Sequence, residues 1–206
     1  MLFHPKNIKK ALSKNLPGAV SHRKMLPPKR VLTVAPKDKR KMKQSSVLLL
    51  LFMENDELIA CLIKRPAHMK YHAGQIALPG GKIEKGETAI ETALRETFEE
   101  IGIKSNKIEI LGSLSEFYVE VSRFQIQPFV GWLQKKPEFI INYDEVEKTM
   151  FFPIRKFNAP FNEIELETVS GKLKVPCIKF DGEIIWGATA MILSEFVDII
   201  NKGHLN

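Results

Sequence analysis

The sequence contains little of what a disulfide framework, a zinc site or a membrane span requires. Its 206 residues include two cysteines, Cys61 and Cys177, which lie far apart and form no CxxC pattern, so neither a disulfide framework nor a cysteine-rich zinc site is predicted. The longest apolar run, residues 47–53, is much shorter than the roughly 20 residues that a membrane span needs. We therefore predict a buried strand at 47–53, no membrane partner, and reduced core cysteines in a cytoplasmic protein.

Acidic residues are scarce at the start of the chain. Residues 1–43 contain 13 Lys/Arg and a single acid, Asp38, whereas residues 44–206 contain 18 basic and 23 acidic side chains. The net charge of +7 therefore arises from a basic N-terminal arm, which we separate as residues 1–43 from a domain at 44–206. Such an arm could hold a polyanion by neutralising its charge, or it could be a solvated leader that packs on the domain. The sequence leaves both readings open.

Hydrophobic periodicity predicts the secondary structure. In the arm, residues 7–16 favour a short amphipathic helix, and the Pro- and Lys-rich residues 21–43 favour an extended linker. The elements predicted for the domain are a hairpin of strands 47–53 and 58–63, a loop at 66–81, a helix at 87–101, strands at 108–117, 124–133 and 150–152, two strands within 163–180, and a helix at 189–200. Strands interleaved with two helices, without a regular βαβ repeat, predict an α/β fold in which a mixed sheet is sandwiched between helices.

The helix predicted at residues 87–101 carries a concentrated acidic edge. Each residue of a helix advances by about 100°, so Glu96, Glu99 and Glu100 fall on one narrow arc. Like charges three and four residues apart destabilise a helix, and their convergence is explained if a cation binds them. Oxygen ligands favour Mg²⁺ or Mn²⁺ over Zn²⁺. Arg95 is placed to reach Glu99 at i+4 and to orient its carboxylate.

The loop before this helix distinguishes the acidic edge from an ordinary solvated helix face. Residues 79–81, Pro-Gly-Gly, allow a close backbone approach and leave carbonyl groups such as that of Gly80 free to join a metal site. Gly102 supplies a helix stop at the other end. Loop, acidic edge and stop at these spacings together predict a metal site.

This stretch resembles the Nudix box, Gly-x5-Glu-x7-Arg-Glu-U-x-Glu-Glu-x-Gly-U, in which U is a bulky aliphatic residue. The matching residues are Gly81, Glu87, Arg95, Glu96, Glu99, Glu100, Gly102 and Ile103. Thr97 departs from the pattern, although it is a β-branched residue on the core side. The resemblance implies a Nudix fold and a Mg²⁺-dependent enzyme that cleaves a phosphoanhydride bond. The metal ligands that we predict are Glu96, Glu99 and Glu100, with support from Glu87 and Gly80.

The upstream loop resembles the signature of the Nudix coenzyme A diphosphatases. Arg65, Gly74 and residues 79–81 stand at the matching spacings, and Lys70 replaces an arginine. Residues 127–131 and 185–190 resemble downstream segments of that subfamily. The resemblance implies hydrolysis of coenzyme A, or a derivative, to 4′-phosphopantetheine and adenosine 3′,5′-bisphosphate. The residues predicted to contact substrate are Arg65, Lys70, His72 and Gly74.

Several alternatives remain open from the sequence. Glu100 or Glu145 could be the general base; the residues predicted to act in catalysis are Arg95, Glu99, Glu100 and Glu145. The substrate could be another nucleoside diphosphate derivative, such as a dinucleoside polyphosphate or ADP-ribose. A non-catalytic nucleotide- or RNA-binding module is disfavoured because every box glutamate is present. The expected partner is a nucleotide and not a nucleic acid, and a homodimer is left open. His68 and His72, without a third ligand, indicate loop packing or phosphate contact rather than a metal site.

Overall fold

The computed structural model describes residues 3–28, 30–38, 42–69, 71–168 and 171–203. Its α-helices are α1 (Pro5–Leu12), α2 (Ala19–His22), α3 (Ala89–Ile101) and α4 (Gly187–Gly203). Its strands are β1 (Lys43–Glu54), β2 (Glu57–Lys64), β3 (Ile76–Ala77), β4 (Gly80–Lys82), β5 (Glu109–Ser113), β6 (Phe117–Val119), β7 (Phe124–Trp132), β8 (Lys148–Pro153), β9 (Asn162–Thr168), β10 (Gly171–Phe180) and β11 (Glu183–Trp186). Within those ranges, each helix is too short or too polar to cross a lipid bilayer.

Strand β1 lies at the centre of a mixed sheet. It pairs antiparallel with β2 and parallel with β7, and the strand order is β3-β2-β1-β7-β5, with β4 beside β1, β6 beside β7 and β8 beside β2. The predicted hairpin between β1 and β2 is confirmed. Its turn residues Asn55 and Asp56 have φ values of 51° and 62°, the left-handed conformation that a two-residue hairpin turn requires. Strands β9, β10 and β11 form a separate antiparallel sheet.

The central sheet is covered by a helix on each face. Leu48 and Leu50 of β1 belong to the apolar cluster beneath α3, whereas Leu49 and Leu51 belong to the cluster that contains the apolar side of α4. All four leucines are fully buried. Burial on both faces explains why β1 is apolar continuously and not in alternation. The predicted mixed sheet between helices is therefore confirmed.

Helix α3 begins two residues later than predicted. Thr88 caps it through a capping box, in which the Thr88 hydroxyl accepts the N–H of Glu91 and the Glu91 carboxylate accepts the N–H of Thr88, at 2.8 Å. This reciprocal pair satisfies donors at the helix start and leaves Glu87 in the preceding loop. The helix ends at Gly102, whose φ is 74°, as predicted.

Some other predicted boundaries also shift. The single strand predicted at 108–117 is two strands, β5 and β6, and the register of β5 against β7 is interrupted between Ile110 and Gly112. The two strands predicted within 163–180 are present as β9 and β10. Strand β11 was not predicted, and the loop predicted at 66–81 contains the short strand β3 and the start of β4. The last helix begins at Gly187 instead of residue 189.

The N-terminal arm contributes to the core. The helix predicted at 7–16 is α1, which starts earlier because the His4 side chain accepts the Lys6 N–H at 3.2 Å. Ile8 and Leu12 of α1, together with Met25, join the cluster beneath α4. The prediction of an extended linker is wrong for residues 21–25, which lie in α2 and a 3₁₀ turn. The domain boundary at residue 44 stays a prediction.

A buried carboxylate on α4 anchors this N-terminal segment. Glu195 accepts the Gly18 N–H at 3.1 Å and the Ser115 hydroxyl at 2.5 Å, and its second oxygen lies 3.0 Å from Nε2 of His22. Glu195 and His22 are almost completely buried. One acidic side chain therefore links the N-terminal segment, the β5–β6 connection and α4.

Candidate metal and phosphate site

Three carboxylates converge at the side of α3 that faces the sheet. Glu96 and Glu100 stand one turn apart on α3, and Glu145 comes from the connection between β7 and β8. Each offers an oxygen within 4.8 Å of the other two. An oxygen-only donor set of this kind suits Mg²⁺ or Mn²⁺, so the residues fit the metal that the sequence predicts.

Burial distinguishes the glutamates of the acidic edge. The side chains of Glu100, Glu96 and Glu99 are 1%, 14% and 45% exposed. Burial raises the pKa of the Glu100 carboxyl to about 8, and the negative charges of Glu96 and Glu145 act in the same direction. Burial also raises the pKa of Glu96. A bound cation would offset both the desolvation and the mutual repulsion of these carboxylates.

The two glycines of the preceding loop make room for the carboxylates. The N–H of Gly80 donates to Oε2 of Glu100 at 2.9 Å. A Cβ atom added at Gly81 would overlap the Glu96 carboxylate, so the Glu96 side chain can hold its present position only with glycine there. The proposed ligation by the Gly80 carbonyl stays a prediction.

Substitution of Gly81 by alanine is expected to displace the Glu96 carboxylate. The added methyl group meets the end of a flexible side chain, so we expect Mn²⁺ to bind about 10-fold more weakly while the fold is retained. Isothermal titration with Mn²⁺ measures this effect. Ser105→Ala, at an exposed position of a 3₁₀ turn outside the carboxylate group, is the control. Unchanged Mn²⁺ affinity in Gly81→Ala would contradict the assignment of Glu96.

Arg95 organises the carboxylates around it. Its Nε donates to Glu87 at 2.6 Å, and its Nη1 donates to Glu96 at 2.9 Å and to Glu99 at 2.8 Å. The Arg95 guanidinium, helped by the Thr92 hydroxyl, lowers the pKa of Glu87 to about 2. The predicted contact between Arg95 and Glu99 is therefore present. Arg95 holds the Glu96 carboxylate and, through Glu87, ties the loop before α3 to the helix.

Glu99 accepts a hydrogen bond from Arg95 and does not belong to the group formed by Glu96, Glu100 and Glu145. Its predicted role as a metal ligand stays a prediction. If Glu99 binds metal, Glu99→Gln should lower kcat by several orders of magnitude, on the order of 10³-fold. A steady-state assay with Mg²⁺ or Mn²⁺ tests this. Near-normal turnover would refute the ligand role and leave Glu99 as a partner of Arg95.

Arg65 stands at the end of β2, beside the carboxylates. Its Nη1 lies 3.9 Å from Oε1 of Glu100, and its Nε has no hydrogen-bond acceptor in the part of the chain that the structure describes. Its backbone closes the loop between Arg65 and Gln75. The Arg65 N–H donates to the Gln75 carbonyl at 3.0 Å, and the Gly74 N–H donates to the Arg65 carbonyl at 3.1 Å. Arg65 thus retains donor capacity that a phosphate group could use.

The other predicted substrate residues lie on this loop. Gly74 has a φ of 67° and forms its final turn. His72 is exposed, and its Nδ1 lies 2.9 Å from the side-chain oxygen of Gln75. His68 is also exposed, and neither histidine belongs to the carboxylate group. Lys70 lies outside the described residues, so its predicted substrate contact has no structural test.

Three contributors were not predicted from the sequence. The Thr92 hydroxyl donates to Glu87 at 2.8 Å, and the hydroxyl of the buried Thr97 donates to the carbonyl of Ala93 at 2.7 Å. The second bond satisfies the threonine that replaces an aliphatic residue in the box. Asn142 contacts Glu145. An asparagine side chain in a turn commonly accepts the N–H of the residue two positions on, as Asn142 does with Asp144, and this turn preference could have identified Asn142.

The fold and the candidate site together define a class of protein in which a glycine loop and a helix bring carboxylates together beside a mixed sheet. The family model described as the NUDIX domain matches residues 42–170. Nudix hydrolase 3 of Caenorhabditis elegans is 28% identical over 176 residues, which cover 76% of this chain and 72% of the relative. The uncharacterized Nudix hydrolase NudL of Pectobacterium atrosepticum is 34% identical over 137 residues, 65% of this chain and 71% of the relative. The chain belongs to the Nudix hydrolase family.

A solved structure agrees with this assignment at the level of the fold. The MutT/nudix family protein from Enterococcus faecalis superposes with a TM-score of 0.56 and 19% sequence identity, covering 82% of this chain and 66% of that protein. At this identity the likeness concerns the fold and carries no information on the substrate.

Proposed function

We propose that this protein hydrolyses the pyrophosphate bond of coenzyme A or a derivative, with Mg²⁺ or Mn²⁺ held by Glu96, Glu100 and Glu145. The observation that carries the proposal is the convergence of these carboxylates within 4.8 Å beside Arg65. The choice of coenzyme A is supported by the spacing of Arg65, Gly74 and the Pro-Gly-Gly loop. The free, buried Cys61 and Cys177 support the further proposal of a cytoplasmic enzyme.

The reaction consumes one water molecule. The water oxygen forms a bond to one phosphorus, the bond from that phosphorus to the bridging oxygen breaks, and the products are 4′-phosphopantetheine and adenosine 3′,5′-bisphosphate. A divalent ion, when bound, neutralises charge on the pyrophosphate and lowers the pKa of the attacking water. The proton of that water passes to a carboxylate of the chain.

The residues of the chain supply binding, orientation and a base. The Arg65 guanidinium donates hydrogen bonds to a phosphate oxygen. Arg95 keeps Glu96 in place through the 2.9 Å contact. Glu100 and Glu145 both remain candidates for the general base; Glu100 is buried, whereas Glu145 is only partly buried on its loop.

The substrate is tested by incubating the purified protein with coenzyme A and Mg²⁺ or Mn²⁺ and identifying products by mass spectrometry. ADP-ribose, NADH and diadenosine polyphosphates are assayed in parallel, and Glu100→Gln serves as the inactive control. Release of 4′-phosphopantetheine and adenosine 3′,5′-bisphosphate, with coenzyme A preferred, is the expected result. Cleavage of another substrate while coenzyme A stays intact would overturn the choice of substrate. Cleavage of none would overturn the proposal of an enzyme and favour a binding module.

A further inference from the structure

The loop that carries Glu145 is fastened to two elements of the site. The N–H groups of Ile140 and Asn142 each donate, at 3.1 Å, to the carbonyls of Ile101 and Glu100 at the end of α3. At the far end, the N–H of Glu147 donates to the Lys64 carbonyl of β2 at 2.8 Å. The loop is thus tied to the helix that carries the other two carboxylates and to the strand that leads into Arg65.

Asn142 is the point at which the backbone of this loop meets the Glu145 side chain. Its Nδ2 donates to Oε1 of Glu145 at 3.3 Å, and its Oδ1 accepts the Asp144 N–H at 3.2 Å. Its carbonyl accepts the N–H groups of Glu145 and Val146 at 3.1 and 2.9 Å. Val146 is fully buried in an apolar cluster, so its side chain also anchors the turn to the core.

We propose that Asn142 is a positioning residue that sets the distance between the Glu145 and Glu100 carboxylates. Its backbone N–H binds the Glu100 carbonyl while its side-chain amide binds the Glu145 carboxylate, so one residue connects the helix with the loop. The inference rests on the proposed function, because it assumes that these carboxylates bind the metal together.

The physical reason is the mutual repulsion of the three carboxylates. Without a cation, the negative charges of Glu96 and Glu145 oppose each other, which favours movement of the Glu145 side chain toward solvent. A neutral amide donor beside Glu145 opposes that movement without adding another charge to the site. The site is then preorganised, and less ordering of the loop is needed when the cation binds. Neutral donors that orient metal-binding carboxylates commonly change metal affinity by about 10- to 100-fold.

The test compares Asn142→Asp with the wild-type protein by titration with Mn²⁺ alone. An aspartate retains the oxygen that accepts the Asp144 N–H and every backbone hydrogen bond, but it replaces the amide donor with a second negative charge beside Glu145. We expect the new carboxylate to repel Glu145 from the group, so that Mn²⁺ binds about 10-fold more weakly, kcat falls by a similar factor, KM changes less than kcat, and the melting temperature stays close to that of the wild type. Tighter Mn²⁺ binding, driven by attraction to the added negative charge, would overturn the inference.

Asn142→Ser is the second variant, because its hydroxyl can still serve the turn but is too short to reach Glu145. It should weaken Mn²⁺ binding less than Asn142→Asp does. Asn106→Asp, at an exposed position of a 3₁₀ turn, makes the same chemical change elsewhere and should leave Mn²⁺ affinity unaltered. Mn²⁺ affinity equal to that of the wild type in both Asn142 variants would overturn the inference, as would a loss of stability without a loss of affinity.

The two proposals fail in different ways. If the wild type binds Mn²⁺, Glu100→Gln weakens that binding and Asn142→Asp does not, then the role of Asn142 is refuted while the metal site stands. If coenzyme A is not cleaved but Asn142→Asp weakens Mn²⁺ binding, then the substrate is refuted and the positioning role is supported.

Discussion

Replacing Glu100 by glutamine should lower kcat for pyrophosphate hydrolysis by about 10³-fold or more. Glu100 is the most deeply buried carboxylate of the group, with 1% of its side chain exposed. Glutamine has nearly the same shape, and its side-chain oxygen can still accept the Gly80 N–H, so the fold should be retained. The variant removes one negative charge from the metal site and one candidate for the general base.

This prediction requires three measurements on the same variant. Steady-state kinetics give kcat and KM, titration with Mn²⁺ gives metal affinity, and thermal unfolding reports the fold. Glu138→Gln removes an exposed carboxylate outside the group and should leave all three unchanged. A Glu100→Gln protein that folds, binds Mn²⁺ normally and turns over at the wild-type rate would contradict the proposed site.

Replacing Glu195 by alanine is expected to lower the free energy of unfolding by about 3–5 kcal/mol. The change leaves the Gly18 N–H, the Ser115 hydroxyl and the His22 ring without the acceptor that they share in a site closed to water. Each buried group without a partner costs about 1–3 kcal/mol. We expect the N-terminal segment to detach before the central sheet unfolds, because Glu195 is the buried acceptor on α4 that contacts both Gly18 and His22 of that segment.

Urea unfolding measures this loss, and Asp198→Asn on the same helix is the matched control. Asp198 pairs with Lys24 at 2.6 Å, and the Lys24 side chain is 45% exposed; Asp198 also accepts the Ser21 hydroxyl. Asparagine keeps an oxygen for that hydroxyl, so solvent screening of the ion pair should limit the loss to less than about 1 kcal/mol. Equal stability losses in the two variants would show that burial of Glu195 does not decide the effect.

The contribution of Glu195 should also depend on pH. Burial alone would raise its pKa, but hydrogen bonds from His22 and Ser115 outweigh burial and hold the pKa below the ordinary value of 4.5. Because the pKa is lowered in the folded state, the contribution is complete above pH 4.5 and is lost as pH falls through the lower, folded-state value. The stability difference between wild type and Glu195→Gln should therefore shrink in acid. A constant difference from pH 7 to pH 3 would contradict this.

Features encoded by neighbouring residues could be predicted from the sequence. The hairpin at Asn55 and Asp56 and the stop at Gly102 follow from local turn and helix chemistry. The acidic edge of α3 follows from helical periodicity, because Glu96 and Glu100 are four residues apart in any α-helix. The starts of α1 and α3 were displaced by caps at His4 and Thr88, whose side chains compete with the backbone for the same donors.

The sequence by itself determined the family, the mixed sheet between helices, and the acidic helix with its glycine loop, because these depend on spacing along the chain. Only the tertiary structure decided which carboxylates meet. Glu145 lies beside Glu96 and Glu100 because its loop is hydrogen-bonded to α3, whereas Glu99 contacts Arg95. No local sequence pattern distinguishes these two placements. The anchoring of His22 by Glu195, 173 residues away, is likewise a product of packing. Side chains of the same type, such as Glu99 and Glu100, become exposed or buried to different extents only when distant segments of the chain pack together.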